Sequence, residues 1–166
     1  MDTSDERRDG VRLDREQPEV YRALLGVASQ ARKAAREAGF DRRLVELVNI
    51  RCSQLNGCAA CLDTHVRQAV KAGETTRRLG VLSAWRETEL FSDQERAALD
   101  LAEAWAQLPP RDLAAVEARA SDHLDAAQRA AVLGVVAAIC AFNQITIAGA
   151  RAVRPEGDEA GHGSEG

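Results

Sequence analysis

The chain is 166 residues long with a formal net charge of −4 and 45% hydrophobic residues, which allows one domain with a real core. The mild acidic balance comes without a basic stripe, which argues against a nucleic-acid partner. The charged start has no apolar signal core, and the longest apolar run, 130–141, contains Gly134 and soon meets Asn143 and Gln144; the sequence therefore predicts a cytoplasmic protein with no membrane partner.

Residues 1–10 read as a flexible N-terminus. A helix begins just after Pro18 and runs toward Glu37, with Val20, Leu24, Val27, Ala31, Ala34 and Ala35 as its apolar stripe, until Ala38 and Gly39 stop it. Asp41 caps the next helix, whose stripe is Leu44, Leu47, Val48, Cys52 and Leu55; Glu46 and Ile50 fall on a neighbouring face. Asn56-Gly57 breaks that helix, since both residues tolerate positive φ. A third helix covers 58–73. Its spacing puts Cys58, Cys61, Leu62, His65, Val66, Ala69 and Val70 on the core side, with Asp63, Thr64, Arg67, Gln68 and Lys71 opposite. A short helix follows from Thr75 or Thr76 to about Trp85. Ser92 and Glu95 form a capping box that opens a helix to about Gln107, ended by Pro109-Pro110. A shorter helix is expected over 111–120. Asp125 and Gln128 form a weaker capping box at the head of the longest helix, rich in Ala and Val, which runs to about Gly149. The tail, 151–166, has almost nothing to bury and reads as disordered. No alternating strand is evident, so the fold class is all-α, with one helical domain over 11–150.

The chemistry is concentrated in 46–65. In the cytosol thiols are kept reduced, so the CxxC of Cys58 and Cys61 is a catalytic or metal-binding motif before it is a structural staple. Both cysteines lie in the first turn of a helix, where unpaired N–H groups and the helix dipole favour a thiolate. His65 is i+4 from Cys61, so the two side chains face each other and Cys61 has the better-placed base. Cys58 is close enough to form a disulfide once Cys61 is oxidised. If the Asn56-Gly57 turn folds one helix back on the next, Glu46 reaches the cluster and orients His65; on its own it is an ordinary helix residue paired with Arg42, Arg43 or Arg51. The C-x2-C-x3-H pattern also offers three zinc ligands, without an obvious fourth. Cys52 and Cys140 sit on apolar stripes and read as inert core cysteines. Trp85 and Trp105 read as core, and His123 and His162 receive no role.

The stretch from Glu46 through LVNIRCSQLNGCAACLDTH to Ala72-Gly73-Glu74 resembles the AhpD-like branch of the carboxymuconolactone decarboxylase family. The likeness extends through Leu82 to Glu87 and Phe91 to Leu99, and more loosely to the Ala-rich helix with Phe142 and Asn143, covering roughly 11–150. It implies an all-α fold with the CxxC at the N-terminus of a central helix, and alkylhydroperoxidase activity without a cofactor or resident metal. It implies Cys61 as the peroxide-reactive cysteine, Cys58 as the resolving one, and Glu46 and His65 as the proton relay. It further implies a hydroperoxide substrate, a dithiol reductant such as a lipoylated or thioredoxin-like protein, and a homo-oligomer. One departure stands inside the motif: Ala60 occupies the position where the best-known AhpD proteins carry a histidine. Decarboxylase members generally lack the CxxC, which argues against lactone decarboxylation here. The expected function is thus a thiol-dependent peroxidase. The alternatives are a disulfide oxidoreductase without peroxide activity, or a non-enzymatic helical oligomer that binds metal or senses oxidation.

Overall fold

The computed structural model describes residues 10–107, 109 and 112–153. Its described residues form α1 (Leu13–Glu16), α2 (Pro18–Glu37), α3 (Arg42–Asn56), α4 (Ala59–Lys71), α5 (Thr76–Val81), a 3-10 helix (Leu82–Glu87), α6 (Asp93–Ala106), α7 (Leu113–Ser121) and α8 (Ala126–Ala148). None is a strand.

The start signals in the sequence work as caps. Asp41 accepts from the Leu44 amide at the head of α3, and Thr75 accepts from Arg78 at the head of α5. Both capping boxes close reciprocally, Ser92 with Glu95 and Asp125 with Gln128. The predicted helix after Thr75 is divided: α5 gives way to the 3-10 turn, with Ala84 off helical geometry. The cause is visible in what holds its end. Trp85 turns into the core at 4% exposure, and Arg96 of α6 donates to the carbonyls of Trp85, Arg86 and Thr88, satisfying groups that a continuing helix would have bonded itself. The expected helix over 111–120 is α7, which starts at Leu113; Pro110 and Arg111 lie outside the described residues. So do 1–9 and 154–166, including His162 and most of the predicted tail. The small helix α1, where Arg12 and Arg151 both pair with Asp14, had no counterpart in the sequence reading.

Helix α3 is the element the others surround. It packs against α2, α4, α6 and α8 as well as the 3-10 turn. A stripe was expected, yet Leu44 through Ile50 are buried without a break. One side, including Leu44, Val48 and Cys52, joins α2, α6, α7 and α8 in the larger core, and the other, with Leu47 and Ile50, meets Leu82, Trp85 and Phe91. Glu46 and Asn49 are carried inside by this central position. On α4 the sorting is right for Cys61 and Ala69, whereas Val70, next to the fully buried Ala69, is 49% exposed. Helix α8 is, by length and composition, apolar enough to cross a membrane, contrary to the expectation that no run reaches that length. Its apolar residues have a use in the fold: Val132, Val135, Val136 and Ile139 are buried in the larger core.

Candidate active site

The turn between α3 and α4 builds the site. Gly57 adopts φ 68° at the end of α3, a conformation that a side chain would strain. The Cys58 amide returns to the Ser53 carbonyl at 3.0 Å and the Gly57 amide to Gln54 at 3.4 Å, the paired bonds of a Schellman closure. This folds α4 back along α3 and leaves Cys58 as the N-cap of α4, its sulfur accepting from the Cys61 amide at 3.4 Å. Cys58 and Cys61 are joined as a disulfide with a Cα–Cα distance of 5.3 Å. Both are nearly enclosed, at 2% and 7% exposure, but their surroundings differ. Cys61 lines a cavity of about 290 Å³, together with Ala60, Thr64 and His65 of α4. Cys58 is not among its lining residues and sits behind Cys61.

The hairpin also brings Glu46 to His65, the contact that sequence spacing left conditional. His65 Nδ1 lies 2.7 Å from Glu46 Oε2. The Glu46 side chain is only 4% exposed, and an unpaired carboxylate there would be costly. It is balanced by His65, by Asn49 donating to the same oxygen at 3.4 Å, and by Arg42 at 3.6 Å from the other oxygen. With Nδ1–H donating to Glu46, a neutral imidazole carries its lone pair on Nε2. A carboxylate that fixes the ring and its tautomer is the usual way to keep one histidine nitrogen available for proton transfer. The arrangement therefore sets two cysteines within disulfide reach, one of them on a cavity wall it shares with a histidine held by a carboxylate.

Several site residues were missed. Asn49 stands i+3 from Glu46, a spacing that could have flagged it as a partner on one helix face. The far wall of the cavity is made by Tyr21 and Leu25 of α2 with Val135, Ile139 and Phe142 of α8; nothing local in these helices marks them as facing a thiol. Cys52 and Cys140, read as inert core cysteines, are free thiols, the first fully buried in the larger core and the second packed against it, where its sulfur accepts from the Asn56 amide at 3.5 Å. Trp85 and Trp105 are core as expected, the first buried and the second packed on the larger core. Among the described residues, no three His, Cys, Asp or Glu side chains are grouped to hold a metal ion.

The carboxymuconolactone decarboxylase family model matches residues 18–104, which include α2, α3 and the whole thiol site. The chain belongs to this family. The uncharacterized protein YdfG of Bacillus subtilis (strain 168) is 37% identical over 117 residues, 70% of this chain and 80% of that protein. The uncharacterized protein YnjA of Escherichia coli (strain K12) is 38% identical over 88 residues, 52% of this chain and 48% of the relative, so the likeness spans about half of YnjA. A solved structure from Agrobacterium tumefaciens, a protein of unknown function described as a candidate antioxidant defence protein AhpD, superposes with a TM-score of 0.74 at 23% identity, covering 84% of this chain and 93% of that one. The carboxymuconolactone decarboxylase family member described here thus has the AhpD-like all-α fold, with its CxxC at the head of α4.

Proposed function

We propose that the protein is a thiol-dependent peroxidase that reduces alkyl hydroperoxides. The observation that carries this reading is the division of labour at the CxxC. Cys61 lines the cavity beside a histidine anchored by Glu46, while Cys58 lies behind it within disulfide reach. The Cys61 thiolate attacks the terminal peroxide oxygen; the O–O bond breaks, the alkoxide takes a proton through His65 and leaves as alcohol, and Cys61 becomes a sulfenic acid. The Cys58 thiol displaces its hydroxyl, giving the disulfide and water. A dithiol donor, a lipoylated or thioredoxin-like protein, then reduces the disulfide by exchange. The largely apolar cavity wall supports an organic rather than a purely aqueous substrate. The antioxidant-defence description of the Agrobacterium protein is consistent with this activity. Cytoplasmic residence and self-association belong to the same reading.

The test is to reduce the protein, remove the reductant, add one equivalent of cumene hydroperoxide and follow the cysteines by mass spectrometry. Rapid loss of the Cys58 and Cys61 thiols to a mutual disulfide supports the reading, and Cys61→Ser must abolish it. Motif thiols that stay reduced would overturn it. A second reading, disulfide exchange without peroxide reduction, is favoured by Ala60, which lines the cavity next to Cys61 without a proton donor of its own. Fast exchange with a small disulfide combined with inertness to peroxide would select it.

A further inference from the structure

The cavity in front of Cys61 has a charge distribution that the mechanism above does not use. Its walls carry two arginines, Arg32 of α2 and Arg151 after α8, and no aspartate or glutamate, although acidic residues outnumber basic ones in the chain by 26 to 22. His65 lines it too, but any charge there is matched by Glu46, which stands outside the lining. The two arginines are not equivalent. Arg151 is committed to Asp14 at 2.8 Å. Arg32 meets no carboxylate among the described residues, and the nearest acid along α2, Glu37, pairs with Lys33 at 3.8 Å. Arg32 is exposed, so its guanidinium stands at the cavity mouth. It shares one face of α2 with Ala28 and Leu25, four and seven residues back, and all three line the cavity. This side, about 10 Å long, is therefore apolar at one end and cationic at the other. Ile139 and Phe142 of α8 make the wall facing it. An exposed arginine alone is an ordinary solvated charge. One at the edge of an apolar cavity, with no acid to share it, is a polar group placed to orient a ligand.

We infer that the cavity receives a carboxylate-bearing amphiphile, its chain against Leu25, Ile139 and Phe142 and its carboxylate on Arg32. The inference rests on the peroxidase reading for the ligand's identity as a substrate, the hydroperoxide of a medium-chain fatty acid. The planar guanidinium offers two parallel N–H donors to a carboxylate, which is ionised at neutral pH. At the mouth the charged pair keeps much of its hydration, while the chain leaves water. The carboxylate takes no part in making or breaking bonds; it fixes which end of the chain enters toward Cys61. Oxidation keeps the balance already given: the O–O bond breaks, a hydroxy fatty acid leaves, and the two thiols give up two electrons to become the disulfide, with release of water.

Binding is measured first, by calorimetric titration of the full chain in its disulfide form with octanoate and with octanol, so that the result does not depend on turnover. Octanoate should bind more tightly than octanol by about 5- to 10-fold, the effect of one charge-assisted pair at a solvated mouth. Arg32→Gln should erase that advantage, Arg32→Lys should keep part of it, and Arg151→Gln should alter it by less than about twofold. The reduced protein, freed of reductant, is then mixed with one equivalent of the terminal hydroperoxide of nonanoic acid or of its methyl ester, and the rates of Cys58–Cys61 disulfide formation are compared. The acid should react faster than the ester by a similar factor, and Arg32→Gln should abolish the difference. A merely structural Arg32 would slow both and leave their ratio alone. Octanoate binding no tighter than octanol, or an acid-to-ester ratio indifferent to Arg32, would overturn the inference. Two inert hydroperoxides beside Arg32-dependent octanoate binding would sink the peroxidase reading and support the carboxylate site.

Discussion

Glu46 is the side chain on which the proposed chemistry turns. A carboxylate at 4% exposure persists because His65, Asn49 and Arg42 surround it. Replacing it with glutamine keeps the volume but removes the charge that holds the imidazole ring. Glu46→Gln should slow oxidation of Cys61 by about 10- to 100-fold, the usual effect of losing a carboxylate that orients a histidine, as measured by stopped-flow with a pulse of hydroperoxide. An unchanged rate would remove Glu46 from the relay. Cys58→Ser separates the steps differently: Cys61 should still consume one equivalent of peroxide, then remain as a sulfenic acid trappable by dimedone. A Cys58→Ser protein that never forms the adduct would reverse the assignment of the two cysteines. The Glu46–His65 contact could be anticipated because Asn56-Gly57 announces a reversal between two helices. The i+3 spacing of Asn49 from Glu46 was there to be read, but its burial was not, because a polar residue beside an apolar stripe is indistinguishable from a solvent-facing one until the helix is known to be enclosed on every side.

At the scale of elements, the turn at Gly57 and the ionic tie around Glu103 do separate work. An added Cβ at Gly57 would meet nothing within 4 Å, so Gly57→Ala carries only the backbone penalty of φ 68°, about 1 kcal/mol. Its melting temperature should fall modestly, while disulfide formation slows because Cys58 is presented by that turn; an unaltered disulfide rate would mean the turn geometry is not limiting. Glu103 of α6 accepts from Arg51 of α3 and from Trp85 and Arg86 of the 3-10 turn. Burial alone would push this carboxyl up, but the bonds from Arg86, Trp85 and Arg51 outweigh it and hold it below its usual value. A depressed folded-state value means the tie stabilises above the unfolded-state value of 4.5 and is lost as pH falls through the lower folded-state one. Glu103→Gln should therefore cost about 1–3 kcal/mol at neutral pH, and its deficit relative to the parent should shrink on acidification, as read by denaturant unfolding from pH 7 to pH 3. A deficit independent of pH would assign the loss to packing. The caps of α3, α6 and α8 were legible because each depends on residues a few positions apart. The 3-10 turn was not, since it is imposed by Arg96 from another helix.

Across the whole molecule, what the sequence conceals is assembly in space. The cavity is walled by α2 and α8, far apart in the chain and brought together by packing, as in the edge contact of Tyr21 with Phe142. The same two helices carry much of the exposed bulky apolar surface. Val20 and Val27 share one face of α2 at 48% and 53% exposure, and Leu133 and Ile147 share one face of α8 at 47% and 51%. Leu25, on the cavity wall, is itself 45% exposed. Hydrating such a surface is unfavourable by about 25 cal/mol for each Å² left in water, and a second copy of the chain offers a matching apolar face at no cost in new sequence. The proposed self-association therefore runs through α2 and α8. Light scattering coupled to size exclusion at micromolar concentration should return an integer multiple of the monomer mass, and the paired change Val27→Glu with Leu133→Glu should return the monomer with its helical circular dichroism intact. Both side chains are already half in water, so the monomer's own core is spared. A parent that elutes as a monomer, or a double variant that assembles unchanged, would place the oligomer contact elsewhere or remove it.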